Sequence, residues 1–200
     1  MDLFLSDLHL GHGNIIRLCE RPFASVEEMD AALIENWNRK VKKEDVVYVL
    51  GDVVWDKRKV AYYMEQLAGR KILITGNHDV GWAKREECQR YFELVAPYLE
   101  LRLDGHPITL CHYPLLEWNF SREEEKKRLG YLIHGHIHNR VSEEYLPLFL
   151  RFNALNAGAD VNGFAPVSFA ELMENNLQFK LAALQDQAHK ERLLAEYESE

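Results

Sequence analysis

Leu3-Phe4-Leu5-Ser6-Asp7-Leu8-His9 is the stretch from which the rest of the chain can be read. A short apolar run of strand type ends in an aspartate and a histidine two residues apart. The figure recurs. Residues 46–50 run into Gly51-Asp52, 72–74 into Gly76-Asn77-His78-Asp79, 108–110 into His112, and 131–133 into Gly135-His136-Ile137-His138. In sheets covered by helices, ligands bind in the crevice beyond the strand ends. Five such strands would deliver their polar tips to one place.

Between these runs the chain alternates strand and helix signals, which points to layered α/β architecture. Ser25 and Glu28 form a capping box ahead of Met29, Ala32, Leu33 and Trp37 at helical spacing. Residues 57–68, closed by Gly69, and 83–94 are predicted helices. Strands are expected at 99–103 and 148–152, with an exposed charged helix at 121–128. A second capping box, Ser168 and Glu171, opens a helical pattern through Leu172, Leu177, Leu181 and Leu184. Residues 1–167 are expected to form one domain. Residues 168–200 are expected to be a helical tail packed on it, with an end polar enough to fray.

The 200 residues are 47% hydrophobic and 28% charged, ordinary for a globular chain. No apolar run approaches the roughly 20 residues that a membrane helix needs. The start has neither the basic residues nor the apolar stretch of a signal peptide, so a cytoplasmic protein is expected. Cys19, Cys88 and Cys111 are odd in number and widely spaced, which suits reduced thiols. Cys111 should face away from His112 and be buried. The net charge of -8 disfavours long nucleic acids. From Ser168 onward, however, seven acids against three bases carry -4 of it, so the balance says little about the strand ends.

Asp, His and Asn suit manganese, iron or zinc; a magnesium or calcium site would be richer in carboxylates. Asp7 with His9, and His136 with His138, share a spacing at which extended backbone would aim both side chains alike. The order Asp-x-His, Gly-Asp, Gly-Asn-His-Asp, His, Gly-His-x-His resembles the signature of calcineurin-like metallophosphoesterases over about residues 1–140. Ser6 to His12, with Asn14-Ile15-Ile16 and Arg21-Pro22-Phe23, also resembles a bacterial and phage subgroup of small members.

The resemblance implies an α/β fold, a β-sandwich flanked by helices in αββα layers. It also implies two divalent transition-metal ions, manganese first and iron or zinc as alternatives. Asp7, His9, Asp52 and His138 would hold one ion, and Asn77, His112 and His136 the other, with Asp52 shared. Each ion then has four protein ligands and room for a bridging hydroxide and a phosphate oxygen. The hydroxide would attack phosphorus, and His78 would protonate the leaving oxygen. One departure concerns His78. Protein-phosphatase relatives place an aspartate three residues after the Gly-Asp carboxylate to orient this histidine, and here that position is Trp55. Asp56 or Asp79 could stand in, or no carboxylate does.

Other residues are weaker candidates. His12, Asn14, Arg21 and Trp55 could touch substrate. For Arg21, as for Arg17, ion pairs with Glu20, Glu27 or Glu28 are an equal alternative. Trp82 and Trp118 could line a base-stacking pocket, although packing is the commoner role. His134 fits packing at a strand end, with a place behind the ligands as the alternative; His106 and His189 fit solvent; residues 158–160, after Asn153 and Asn156, fit a structural turn, with loop residues near the site as the alternative.

The leading expectation is hydrolysis of a small phosphate ester, foremost a phosphodiester such as a nucleotide or cyclic nucleotide, with no membrane partner and the oligomeric state open. A phosphomonoesterase is the first alternative. A nuclease or nucleic-acid end-processing phosphatase is the second, resting on Lys40, Lys42 and Lys43 or Arg122, Lys126, Lys127 and Arg128 as basic strips. A catalytically silent binding or scaffold protein is the non-enzymatic alternative.

Overall fold

The computed structural model describes residues 1–122 and 129–198. Two four-stranded sheets form its centre. The first is parallel, in the order β1 (Asp2–Leu5), β2 (Val46–Val49), β3 (Arg70–Ile74), β4 (Leu94–Ala96). The second runs β5 (Tyr98–Leu103), β6 (His106–Cys111), β7 (Tyr131–His134), β8 (Ala154–Asn156), antiparallel at β5–β6 and parallel thereafter.

Alternation along the strands explains the layering. Leu3, Leu5, Val47, Val49 and Leu73 turn to one face of the first sheet and pack on Met29, Leu33 and Trp37 of α2 (Val26–Lys40) and on Tyr63 and Met64 of α3 (Val60–Met64). Phe4, Leu50 and Ile74 belong to the opposite face and share a core with Ile108, Leu110, Tyr131, Ile133 and Leu155 of the second sheet. Strands buried on both faces read as unbroken apolar runs, which is why β1, β2 and β3 were legible. The outer face of the second sheet buries Cys111, Leu132 and Ala154 beneath Trp118 and Leu148. The architecture is a β-sandwich flanked by helices.

Ser25 caps α2 by accepting the Glu28 N–H (3.2 Å), while the Glu28 carboxylate accepts the Ala24 N–H (2.7 Å). Ser168 and Glu171 complete the second capping box, opening α6 (Phe169–Ala183), whose Phe169, Leu172 and Leu177 enter the inter-sheet core. A further helix, α7 (Gln187–Glu198), buries Leu193 in the same core.

Three expectations change. The helix at 57–68 narrows to α3, and that at 83–94 narrows to α4 (Glu86–Gln89), because Leu94 joins β4. Residues 148–152 are not a strand. Pro147 starts the helix α5 (Leu146–Phe149), and the strand follows as β8. A short apolar run fits either state, and proline favours the first turn of a helix. The helix expected at 121–128 falls mostly outside the described residues.

Lys180 in α6 is buried, its ammonium donating to the carbonyls of Arg151 (2.6 Å) and Ala154. Burial lowers its pKa from 10.5 to about 7. Between those values the folded chain holds fewer protons than the unfolded one, so stability rises with pH across that window and is lost as pH falls through about 7. Thermal unfolding followed upward from neutral pH should show a gain approaching about 1.4 kcal/mol per pH unit within that window, which Lys180→Met removes. A flat wild-type profile would mean that the ammonium stays charged against its carbonyls.

Candidate metal centre

All the motif residues leave their strands at the same end of the sandwich. The chain after β8 closes the gap there. Ser6 N–H donates to Ala157 O (2.8 Å) and Ala157 N–H to His134 O (2.7 Å), stitching β1 to β7. Beyond these strand ends the backbone turns through the left-handed region at Asp7 (φ 56°), His9 (52°), Asp52 (54°), His136 (72°) and His138 (53°). Residues with a Cβ avoid that region at about 1–2 kcal/mol each, and such strain gathers at functional sites.

The turns correct the expectation of extended backbone. His136 joins Asp52 and His112, whereas His138 joins Asp7 and His9, so the pair splits between two groups. The loops are held from the backbone. Asp7 N–H donates to Gly51 O (3.0 Å), His9 N–H to Asp52 O (2.9 Å), and His136 N–H to Asp7 Oδ2 (2.9 Å). The motif glycines permit this proximity. A Cβ on Gly51 (φ 87°) would lie 2.6 Å from both Gly76 N and His112 Nδ1, and one on Gly135 would overlap Ser6 Oγ and Asp7 Oδ2.

Each group offers converging donor atoms within 4.8 Å of one another: Asp7, His9 and His138 in one, Asp52, His112 and His136 in the other. Asp52 Oδ2 lies between them, 3.7 Å from His9 Nε2 and 3.6 Å from His112 Nε2. Asn77 Oδ1 stands 3.2 Å from His112 Nε2. These spacings are too long for strong hydrogen bonds and leave room for a cation.

Buried polar atoms test whether a cation fits. Asp7 Oδ1 and both ring nitrogens of His9 are buried without a hydrogen-bond partner. Such orphans are costly unless something satisfies them. His112 Nδ1 lies 2.7 Å from Leu50 O, so its N–H belongs there and Nε2 presents a lone pair to the site. His138 Nδ1 is committed in the same way to Asp160 Oδ2 (2.8 Å), leaving Nε2 3.9 Å from Asp7 Oδ1. The donor set fits divalent cations.

The electrostatics agree. Burial is the largest influence on both, raising the Asp7 pKa against the pull of His138 and His112 and lowering that of His9. Burial alone would also lower His138, but its bonds to Asp160 and Cys19 and the nearby Asp7 outweigh it and raise it to about 10.

His78 is the exposed histidine of the cluster. Its Nε2 is 3.8 Å from Asp52 Oδ2, and its backbone N–H donates to Asp52 Oδ1 (2.9 Å). Neither stand-in carboxylate reaches its ring. Asp56 is engaged by Arg58 (2.9 Å), and buried Asp79 accepts N–H groups of Asp52 (2.8 Å), Val53 (3.2 Å) and Gly76 (2.8 Å). Asp79 ties the two loops together. Burial raises its pKa to about 6 despite those donors.

The weaker candidates divide. Trp55 is 47% exposed, stacks flat on buried His12 (centroids 3.7 Å apart, planes at 2°), and lies 4.9 Å from the His78 ring. Asn14 is exposed on α1 (Gly13–Leu18). Arg21 does not face solvent, and it pairs with none of Glu20, Glu27 or Glu28. It is buried and donates to Asp160, to Asp7 O (2.7 Å) and to Leu8 O (2.9 Å). Trp82 and Trp118 are buried packing residues. His134 is buried in β7, its pKa lowered by burial to about 4.

Asp160 orients His138, so the 158–160 run does bring a loop residue to the centre, and one further residue escaped the sequence reading. Tyr113 is 43% exposed with its ring 4.9 Å from His136, and its signal was adjacency to His112.

A sandwich whose strand ends carry this donor set defines a metal-dependent phosphoesterase fold. The chain belongs to the calcineurin-like phosphoesterase superfamily, whose domain model matches residues 2–164. It is 35% identical over 167 residues to an uncharacterized protein of Methanocaldococcus jannaschii, covering 82% of this chain and 84% of the relative. It is 32% identical over 160 residues to the gene 66 protein of Mycobacterium phage L5, covering 68% and 76%. The crystal structure of a protein of unknown function from Aquifex aeolicus superposes with a TM-score of 0.67 at 30% identity, covering 87% of this chain and 98% of that one. Among the described residues no helix is long and apolar enough to cross a membrane.

Proposed function

We propose that the protein is a dinuclear phosphoesterase that hydrolyses a small phosphodiester, such as a nucleotide or cyclic nucleotide. The observation that carries this is the convergence of donor atoms on both sides of Asp52 Oδ2, with Asp7 Oδ1 and both ring nitrogens of His9 buried and unpartnered on one of them. Asp7, His9, Asp52 and His138 would hold one ion, and Asn77, His112, His136 and Asp52 the other. Manganese is the first choice, with iron or zinc as alternatives. Bound there, the two ions would supply Lewis-acid charge for the phosphate and a water-derived nucleophile at neutral pH.

The chain's own residues account for the remaining chemistry. His78, exposed beside Asp52, donates a proton to the leaving oxygen. Asp79 keeps the Asp52 and Asn77 loops in register. A diester is favoured because half-exposed aromatic rings flank the centre on both groups, Trp55 beside His78 and Tyr113 beside His136. A monoester has only one organic substituent to meet them. Long nucleic acids are disfavoured by the net charge of -8 and by pairing within the basic strips: Lys40 binds Glu171 (2.8 Å) and Arg122 binds Glu117 (3.1 Å). The three free, buried thiols suit a cytoplasmic setting.

Protein stripped by chelation should be inactive and regain activity with Mn²⁺. It should cleave bis-p-nitrophenyl phosphate faster than p-nitrophenyl phosphate, and Trp55→Ala should raise KM for the diester. Turnover of neither ester would sink the phosphoesterase reading. A preference for the monoester would select a phosphomonoesterase. Fewer than one metal per chain after reconstitution would select a scaffold.

A further inference from the structure

We infer that Arg21 and Asp160 form a buried relay that builds only one half of the centre, the Asp7–His9–His138 half, so that damage to the relay removes one metal and leaves the other. The inference rests on the dinuclear reading above. Arg21 and Asp160 lie 139 residues apart in sequence, and their side chains are 0% and 1% exposed. Arg21 Nε donates to Asp160 Oδ1 (2.8 Å) and Nη2 to Oδ2 (3.1 Å), the two-pronged geometry that only arginine offers a carboxylate. The same oxygen, Oδ2, accepts from His138 Nδ1 (2.8 Å), which fixes the ring and leaves Nε2 facing Asp7. A carboxylate on the far nitrogen of a ligating histidine sets its tautomer and strengthens it as a ligand.

The guanidinium has a second task. Nη2 also donates to Asp7 O (2.7 Å) and Nη1 to Leu8 O (2.9 Å), within the segment where Asp7 and His9 adopt left-handed backbone. One side chain therefore touches the support of all three donors in that half. Its own approach is built in. Glu20 takes a left-handed turn (φ 52°) just past α1, and the Phe164 ring lies 5.6 Å beneath the guanidinium. The Asp160 segment is pinned by Asn156, which accepts Gly158 N–H (2.8 Å) and donates to His138 O (2.7 Å).

The other half meets this support only at one remove, where His136 N–H donates to Asp7 Oδ2 (2.9 Å). His112 is fixed by Leu50 O, and Asp52 by the backbone N–H of His78. A buried ion pair contributes little net stability compared with apolar packing, so its value here is orientation.

The test is Mn²⁺ titration of Asp160→Asn by calorimetry and by electron paramagnetic resonance, with thermal unfolding of the metal-free protein alongside. Wild type should bind two ions per chain and show the coupled signal of neighbouring Mn²⁺. Asp160→Asn should bind one ion with near wild-type affinity and the second about 10- to 100-fold more weakly, giving the isolated six-line signal at one equivalent. Arg21→Lys, which keeps the charge but not the fork, should do the same and serves if Asp160→Asn fails to fold. Loss of both ions together in a folded variant, or of neither, would overturn the inference. A wild type that binds no metal would overturn the dinuclear reading instead.

Discussion

Asp52→Asn should strip metal from the centre and slow hydrolysis by at least about 10³-fold, the loss expected when several kcal/mol of charge stabilisation disappears. Asp52 lies between the two groups, with Oδ2 3.7 Å from His9 Nε2 and 3.6 Å from His112 Nε2. The amide has nearly the carboxylate's shape, so packing should survive. Burying a neutral amide is also easier than burying a charge. The negative charge between the two groups would be gone, however, and an N–H could point where a cation belongs. Metal content per chain measured beside turnover checks this. A variant that keeps two metals would show that Asp52 is not shared.

His78→Ala should behave in the opposite way, keeping both metals while turnover falls by about 10²- to 10⁴-fold. The backbone N–H that holds Asp52 Oδ1 belongs to residue 78 whatever its side chain, so the ligand should stay in place. What is lost is a half-exposed imidazole at the mouth of the site. The penalty should shrink for esters whose leaving group departs without a proton, such as p-nitrophenolate, and grow for simple alkoxides. Equal penalties across such a series would rule out the general-acid role. If His78→Ala and Asp52→Asn both kept two metals and slowed alike, the division of roles would be wrong.

The same contrast between loops and strands governs how much could be read from the chain. The five strands carrying the motifs were legible because burial on both faces makes them continuous apolar runs. β4 and β8 were not, being three residues each, one against Pro97 and the other after an apolar run that Pro147 turns into a helix. That Asp7, His9, Asp52, His112, His136 and His138 would gather at the strand ends was legible from residue type and order. Ligand direction was not. His136 and His138 share a spacing that suggests a common aim, yet their left-handed turns separate them. Arg21 shows a further gap. Local spacing offered it three nearby glutamates, while its partner lies 139 residues away, a choice only tertiary packing decides.

Those left-handed turns bear on the protein's supply as well as its chemistry. At about 1–2 kcal/mol each, five strained positions at the strand ends claim a large share of the 5–15 kcal/mol that usually separates a folded domain from its unfolded chain. Divalent ions that bind only the folded form return stability in proportion to their concentration. A cell short of metal would thus hold a chain that opens more often and is degraded sooner. Metal availability would set how much of the protein persists, before it sets how fast any molecule turns over.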